Sequence, residues 1–252
     1  GVSKTPTATE LHAKPSVGFQ GKLHASLMLL AKTELEYRPI TQASSLGAED
    51  MVVTHLLHEL HSQSDIFVLD TGKLHSQTLE LVGQIEKRYQ RPVRVCKPDP
   101  AQVEQFVATN GHEAMYQSIE LRKACCHIRK MLPLAQALRG KGGWITGLRR
   151  EQAGARAQVP DVELVDGRAK INPLADWTWG DVWHYIAQNN IPYNSLHDQF
   201  FPSIGCAPCT RAIALGEDFR AGRWWWEDES AKECGLHVAS SSSTVIPVYA
   251  QT

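Results

Sequence analysis

The stretch IFVLDTGKLHSQTLELVGQIEKRYQRPVRVC, residues 66–96, decides the fold of this chain. It opens with the apolar run Ile66–Leu69, which is typical of a buried strand, and closes with a second such run, Val93–Val95. Between them, apolar residues recur at the spacing of a helix: Leu79, Val82 and Ile85. A strand, a helix and a further strand in this order predict two parallel strands joined by a crossover helix.

The same alternation continues along the chain. Later segments predict a helix with its apolar residues at Val103, Phe106 and Val107, a helix over Ala124–Leu138, a strand over Gly143–Thr146, a hairpin over Val162–Ile171 that turns at Asp166-Gly167, and a helix over Asp181–Gln188. We therefore predict an α/β protein with a doubly wound, mostly parallel sheet.

Composition restricts the classes of partner. The 252 residues carry a net charge of -1, with 42% hydrophobic and 21% charged residues. This balance gives no general attraction to nucleic acid. No run approaches the roughly 20 apolar residues of a membrane span, and the first residues, GVSKTPTATE, lack the layout of a secretory signal. We expect a cytoplasmic protein that binds neither membrane nor nucleic acid, and the sequence leaves open whether it is a homo-oligomer.

The two ends differ from the middle of the chain. Residues 1–20 mix Pro, Thr, Ser and Lys without periodicity, and the segment 239–252 opens with a serine run. We expect a mobile N-terminal arm over 1–20, one α/β domain over 21–219, and a flexible C-terminal segment and tail over 220–252.

Ligands of doubly wound sheets bind at the carboxyl ends of the strands. The loops at that edge are Ala43–Asp50, Asp70–Leu74 and Thr146–Gln152. The first, ASSLGAED, offers two hydroxyls and a glycine where a helix begins. Such a loop can cradle a phosphate, but serines before a helix are more often simple N-caps, and on the residues alone the N-cap interpretation is favoured.

Four of the six cysteines form two close pairs. Cys125 and Cys126 are adjacent, whereas Cys206 and Cys209 form a C-x-x-C between turn residues. A C-x-x-C alone fits zinc, a redox dithiol or an iron-sulfur site. Neighbouring residues on a helix point about 100° apart, which suits a cluster with several irons better than one tetrahedral ion. Two buried thiols and an unrelated turn remain the simplest alternative.

The other two cysteines have different surroundings. Cys96 continues an apolar strand, so we expect it to be a structural residue. Cys234 lies in KECGLH, where a lysine and a histidine favour the thiolate, and it is either a nucleophile or an incidental surface thiol. Arg220 and Arg223 precede it and suit a sulfate or phosphate ester.

Taken together, these motifs resemble the phosphoadenylyl-sulfate reductase family, in the iron-sulfur branch of adenylyl-sulfate reductases. The resemblance runs from about Ala43 to His237 and rests on SSLGAED, LDTGKLH, CCHIRK, TGLRREQ, PYNSLH, IGCAPCTR, GRWWWE and KECGLH. It implies a sheet of the adenine-nucleotide alpha-hydrolase-like type. The sequence departs from relatives at Leu46, where they often carry an aromatic residue, and over the residues after Val238.

The resemblance also implies the site residues. It implies a catalytic Cys234 and one 4Fe-4S cluster held by Cys125, Cys126, Cys206 and Cys209. It implies substrate contacts by Ser44, Ser45, Gly47, Asp50, Leu74, Lys130, Gly147, Arg156, Arg220, Arg223 and His237. The partners it implies are adenosine 5'-phosphosulfate and thioredoxin or a similar dithiol, in assimilatory sulfate reduction.

Three alternatives remain open at this point. Relatives without the two cysteine pairs typically reduce the 3'-phosphorylated substrate, so an enzyme of that or of dual specificity is the nearest alternative. ATP pyrophosphatases share the expected fold but show an SGGxDS-like loop, from which ASSLGAED departs. A zinc-bound nucleic-acid-binding module would use the same four cysteines, but the net charge gives it no support.

Overall fold

The computed structural model describes residues 5–152, 157–201 and 204, and the backbone of 244–245. Within these residues one sheet has seven strands in the spatial order β3-β2-β1-β4-β6-β5-β7. The strands are β1 (Ile40–Ser44), β2 (Asp65–Leu69), β3 (Val93–Cys96), β4 (Gly143–Ile145), β5 (Val162–Val165), β6 (Arg168–Ile171) and β7 (Thr244–Val245). The five strands from β3 to β6 are parallel, and β5 pairs antiparallel with both β6 and β7.

Helices cover both faces of this sheet. They are α1 (Ala8–His12), α2 (Phe19–Tyr37), α3 (Ala48–Glu59), α4 (Ser76–Tyr89), α5 (Pro100–Asn110), α6 (Ile119–Cys126), α7 (Leu132–Ala137) and α8 (Trp179–Asn189). Short 3-10 helices span Ala114–Tyr116 and Ser195–Gln199. The prediction of a doubly wound, mostly parallel sheet is confirmed.

Alternation along each strand divides the core into two parts. Ile66 and Val68 of β2 belong to the larger cluster, which α2, α3, α4 and α8 complete. Phe67, between them, points to the opposite face and packs with Leu134 of α7 and Trp144 of β4. A strand that is buried on both faces has a continuous run of apolar residues in its sequence. This is why the run Ile66–Leu69 indicated a central strand.

The predicted hairpin is confirmed as β5 and β6. Asp166 and Gly167 both have positive φ, 50° and 79°. Those values are the ones that a two-residue type I′ turn requires, and Asp-Gly is among the pairs that adopt them most readily. The turn pairs Val165 with Arg168 and thereby sets the register of the two strands.

The prediction of one helix over Ala124–Leu138 was wrong at its start and in its continuity. The helix α6 begins at Ile119, because the Ser118 side chain accepts a hydrogen bond from the Leu121 N–H and caps its N-terminus. A π-helical turn over His127–Met131 then separates α6 from α7. Turns of this kind are rare and are frequently found at functional sites.

The N-terminal arm, expected to be mobile, carries the helix α1 and makes defined contacts. A capping box between Thr7 and Glu10 begins α1. The Ser16 N–H and hydroxyl donate to Asp181 of α8 at 2.7 and 2.9 Å. Burial alone would raise the pKa of Asp181, but the hydrogen bonds from Ser16 and Thr178 outweigh that effect and lower it. These bonds attach residues 7–16 to the domain.

Among the helices that the structure describes, none is both long and apolar enough to span a bilayer.

Candidate active site

The three loops expected to bind ligand follow β1, β2 and β4, which are neighbours in the parallel part of the sheet. Two of them touch. A Cβ atom added to Gly147 would lie 2.8 Å from Glu49 Cβ and 2.9 Å from Asp50 Oδ1. Loop 146–152 therefore packs directly against the first turn of α3. The structure brings together Ser44, Ser45, Gly47, Asp50 and Gly147 from the predicted set of substrate residues.

Bonds within the first loop fix its shape. The Ser45 N–H and hydroxyl both donate to Asp50 Oδ2, at 2.9 and 2.6 Å. The Ser44 hydroxyl oxygen accepts from the Leu46 N–H at 3.1 Å. Leu46 itself is fully buried and has a φ of 63°. The loop is thus a tight, preformed turn whose serines are already engaged with neighbouring residues.

The N-cap interpretation of these serines was wrong. The N-cap of α3 is Gly47, which makes no side-chain capping bond. The first helical N–H, that of Ala48, instead donates to His197 Nε2 at 3.2 Å. Because burial lowers the pKa of His197 to about 4, against the opposing influence of the Glu49 carboxylate, the imidazole is neutral at pH 7 and can accept this bond. The N-terminal end of a helix attracts negative charge, and the first turn of α3 already carries the Glu49 and Asp50 carboxylates. The phosphate-cradle alternative therefore stays a prediction.

A buried ion pair joins this helix to loop 146–152. Arg149 Nε donates to Glu49 Oε1 at 2.9 Å, and the Gln152 amide donates to the same oxygen at 3.3 Å. The Arg149 side chain is 1% exposed and lies over the Trp179 ring. Sequence reasoning quoted the TGLRREQ motif but assigned no role to Arg149 or Glu49. The spacing along the chain gave no sign that these two residues meet.

Replacing Gly147 by alanine is expected to destabilise the fold by about 1–3 kcal/mol, because the added methyl would overlap Glu49 and Asp50. Urea unfolding measures the effect. Gly83→Ala is the matched control, since its methyl meets nothing within 4 Å in the middle of α4. That change is expected to stabilise by about 0.5–1 kcal/mol. Equal stability of Gly147→Ala and the wild type would contradict the close packing.

The second loop, 70–74, is stabilised by a hydrogen bond within its turn and by an arginine of the π-helical turn. Asp70 Oδ1 accepts from the Gly72 N–H at 2.9 Å, and Gly72 has a φ of 75°. Arg129, from the π-helical turn, donates to the Thr71 carbonyl at 2.6 Å. Leu74 ends the loop and is half-buried.

The cysteine pair lies at the end of α6. Cys125 and Cys126 are 8% and 9% exposed, although adjacent positions on a helix face different ways. Protein therefore covers both sides of this helix end, and Lys130 follows in the π-helical turn. Within the described ranges no group of three or more His, Cys, Asp or Glu side chains could hold a metal ion. Two buried adjacent thiols supply half of a four-thiolate donor set, which fits an iron-sulfur cluster.

Cys96 has the structural role predicted for it. It ends β3 and packs beside the cluster of Phe67, Leu134 and Trp144. Burial raises the pKa of its thiol, so the reactive thiolate is disfavoured. Several other predicted site residues lie outside the described residues and stay predictions: Cys206, Cys209, Cys234, Arg156, Arg220, Arg223 and His237.

Two solved structures, a reductase and an adenylyltransferase, have a similar fold. The phosphoadenylyl-sulfate reductase from Candida auris, solved as a phosphate complex, superposes with a TM-score of 0.64 at 24% identity over 79% of this chain and 98% of its own. The FMN adenylyltransferase from Candida glabrata, in complex with FAD and inorganic pyrophosphate, gives 0.57 at 14% identity over 92% and 84%. Both matches agree with the predicted α/β fold and its mostly parallel sheet.

Several relatives are more similar to this chain in sequence than the two solved structures are. Proteins named adenosine 5'-phosphosulfate reductase are 47% identical in Allochromatium vinosum, over 84% of each chain, and 45% identical in Burkholderia cepacia, over 97% of each. The one from Neisseria meningitidis serogroup A is 49% identical over 80% of this chain and 84% of its own. The family described as the phosphoadenosine phosphosulfate reductase domain matches residues 39–212, which is more than half of the chain. The chain is a member of the phosphoadenosine phosphosulfate reductase family.

Proposed function

We propose that this protein reduces adenosine 5'-phosphosulfate to sulfite and AMP. One observation carries the proposal: the relative from Burkholderia cepacia, named for this activity, matches 97% of both chains at 45% identity. A match of that extent leaves little of either chain unaligned. The preformed loop at Ser44–Asp50, at the start of α3, supports a nucleotide phosphate at the same edge of the sheet.

The proposed chemistry begins at Cys234. Its thiolate attacks the sulfur of the substrate, the bond from sulfur to the phosphate oxygen breaks, and AMP leaves with that electron pair. A thiosulfonate remains on the enzyme. Cations near the transferring group would offset the charge that moves to the leaving phosphate, and the residues proposed for this are Lys130, Arg156, Arg220 and Arg223, with His237 near the nucleophile.

A dithiol such as thioredoxin would complete the cycle. Its thiolate attacks the Cys234 sulfur, and sulfite leaves as a mixed disulfide forms. The second thiol of the reductant then breaks that disulfide and restores the Cys234 thiol. The two electrons that reduce the sulfo group to sulfite thus come from the dithiol, which becomes a disulfide.

Cys125, Cys126, Cys206 and Cys209 would hold a 4Fe-4S cluster. When bound, such a cluster would join two segments distant in sequence and add to the local electrostatic field. The buried position of Cys125 and Cys126 supports the proposal, because burial shields thiolate ligands from solvent and oxidants.

The protein purified without oxygen is expected to be brown and to contain about four iron atoms and four acid-labile sulfides per chain. The reason is the four thiols in two close pairs. Analysis of the bound metal and of acid-labile sulfide distinguishes an iron-sulfur cluster from a zinc site. Stoichiometric zinc without iron would contradict the cluster and support the alternative of a zinc site.

Sulfite release should show a preference for adenosine 5'-phosphosulfate over its 3'-phosphorylated form of at least about tenfold in kcat/KM. The expectation follows from the two cysteine pairs, which mark the branch with that preference. Both substrates are assayed with thioredoxin as reductant. An equal or reversed preference would leave the reductase activity standing but contradict the branch, whereas no sulfite from either substrate would contradict the proposed function.

A further inference from the structure

Arg129 occupies an unusual place in the chain. It lies in the π-helical turn His127–Met131, three residues after Cys126, and is 9% exposed. Arg122, in the preceding helix α6, is fully buried. Arg122 lies three residues before Cys125 and Arg129 three residues after Cys126, so two buried arginines flank the cysteine pair in the sequence. Arginine is seldom buried to this extent without a defined partner.

One partner of Arg129 lies in the loop after β2. Its Nη1 donates to the Thr71 carbonyl at 2.6 Å, and Thr71 is itself 1% exposed. The two residues are 58 positions apart in the chain. A charged donor on a buried carbonyl is stronger than a neutral one and is costly to remove, because the carbonyl would stay buried without it.

Other bonds of loop 70–74 lie within the turn or reach other segments. Asp70 Oδ1 accepts from the Gly72 N–H at 2.9 Å, and Thr71 Oγ1 accepts from the Lys73 N–H at 3.2 Å. These bonds shape the turn. The Asp70 N–H also donates to the Cys96 carbonyl at 2.8 Å, and Lys73 Nζ donates to the His112 carbonyl at 3.3 Å in an exposed bond. Arg129 adds a buried side-chain attachment at the middle of the loop, at Thr71. A Cβ on Gly72 would lie 3.6 Å from Arg129 Nη1, so the guanidinium also lies against the backbone of the turn.

We propose that Arg129 is a positioning residue for nucleotide binding, which fixes loop 70–74 in the ligand crevice by attaching it to the helix end that carries the cysteine pair. This inference rests on the proposed function, because the nucleotides concerned are its substrate, adenosine 5'-phosphosulfate, and its product, AMP. It assigns to Arg129 a role in affinity for the nucleotide and not in the transfer of the sulfo group.

Arg91 provides a matched control. Its guanidinium also donates to backbone carbonyls, those of Ser64 and Ser62, both at 2.8 Å. Those carbonyls precede β2, at the opposite end of the strand from loop 70–74. Removing Arg91 should therefore lower stability without changing nucleotide affinity.

The experiment measures AMP binding by calorimetry in the wild type, Arg129→Met, Arg129→Lys and Arg91→Ala, each purified with its iron. Arg129→Met is expected to raise the dissociation constant of AMP at least about tenfold. Arg129→Lys keeps a charged donor and should recover part of the affinity. KM for adenosine 5'-phosphosulfate should rise with the AMP dissociation constant while kcat changes less than about threefold. Amide exchange over residues 70–75 should be faster in Arg129→Met.

AMP affinity in Arg129→Met within twofold of the wild type would overturn the inference, as would an equal loss of affinity in Arg91→Ala. If Arg129→Met does not fold, Arg129→Gln is judged by the same criterion. Loss of iron with unchanged exchange over 70–75 would also overturn it, because the arginine would then act on the cysteine pair alone. Failure of the wild type to bind AMP would contradict the proposed function instead, and amide exchange would still test the attachment of the loop.

Discussion

Cys234→Ser is expected to reduce sulfite production on the order of a thousandfold or more, because a serine hydroxyl is a far poorer nucleophile than a thiolate at neutral pH. Cys234 stands apart from both cysteine pairs in the sequence, in KECGLH, and is therefore available for chemistry when the other four thiols bind iron. Sulfite release from adenosine 5'-phosphosulfate is the measurement.

The same variant should keep its visible absorbance and its affinity for AMP, which separates loss of chemistry from loss of the site. Cys96→Ser is the matched control: that thiol is half-buried at the end of β3, and we expect its loss to leave sulfite production within a few-fold of the wild type. Sulfite production by Cys234→Ser at a wild-type rate would exclude Cys234 as the nucleophile.

Arg149→Met is expected to lower the free energy of unfolding by about 3–5 kcal/mol, since it leaves the buried Glu49 carboxylate without its charged partner. The pair is joined at 2.9 Å, and the two side chains are 1% and 10% exposed. Removing one member of a buried pair costs more than removing both. The double variant Arg149→Met/Glu49→Leu should therefore recover part of the loss.

Arg150→Met is the matched control for this prediction. Arg150 pairs with Asp161 at 3.2 Å and with Asp176, but its side chain is 33% exposed. Exposed pairs contribute at most about 1 kcal/mol. Urea unfolding of the three variants compares the effects, and a loss in Arg149→Met no larger than that in Arg150→Met would contradict the role given to the buried pair.

The parallel sheet could be predicted because its signals are local. Ile66–Leu69 is apolar without interruption because both faces of β2 are covered, and Asp166-Gly167 specifies a tight turn by its backbone preferences alone. The helix α2 was missed although Leu23, Leu27 and Leu30 follow a helical period and pack in the core. The capping box of α1 could likewise have been predicted from the spacing of Thr7 and Glu10.

The connections within the site could not be predicted, because each joins residues far apart in the chain. His197 reaches the Ala48 N–H across 149 positions, and Arg149 reaches Glu49 across 100. Neither contact leaves a periodicity or a spacing in the sequence. The prediction that the serines of this loop cap α3 failed for a related reason. Local preference assigns the capping bond to a serine, but His197, from a distant segment, accepts it from the Ala48 N–H.

Mass spectrometry of the wild-type protein tests the central claim most directly. The protein is incubated with adenosine 5'-phosphosulfate in the absence of any thiol reductant and then digested. We predict one added sulfo group on the peptide that contains Cys234, and its removal by thioredoxin with release of sulfite. An adduct on Cys206 or Cys209, or sulfite release by a protein in which Cys234 carries no adduct, would contradict the account.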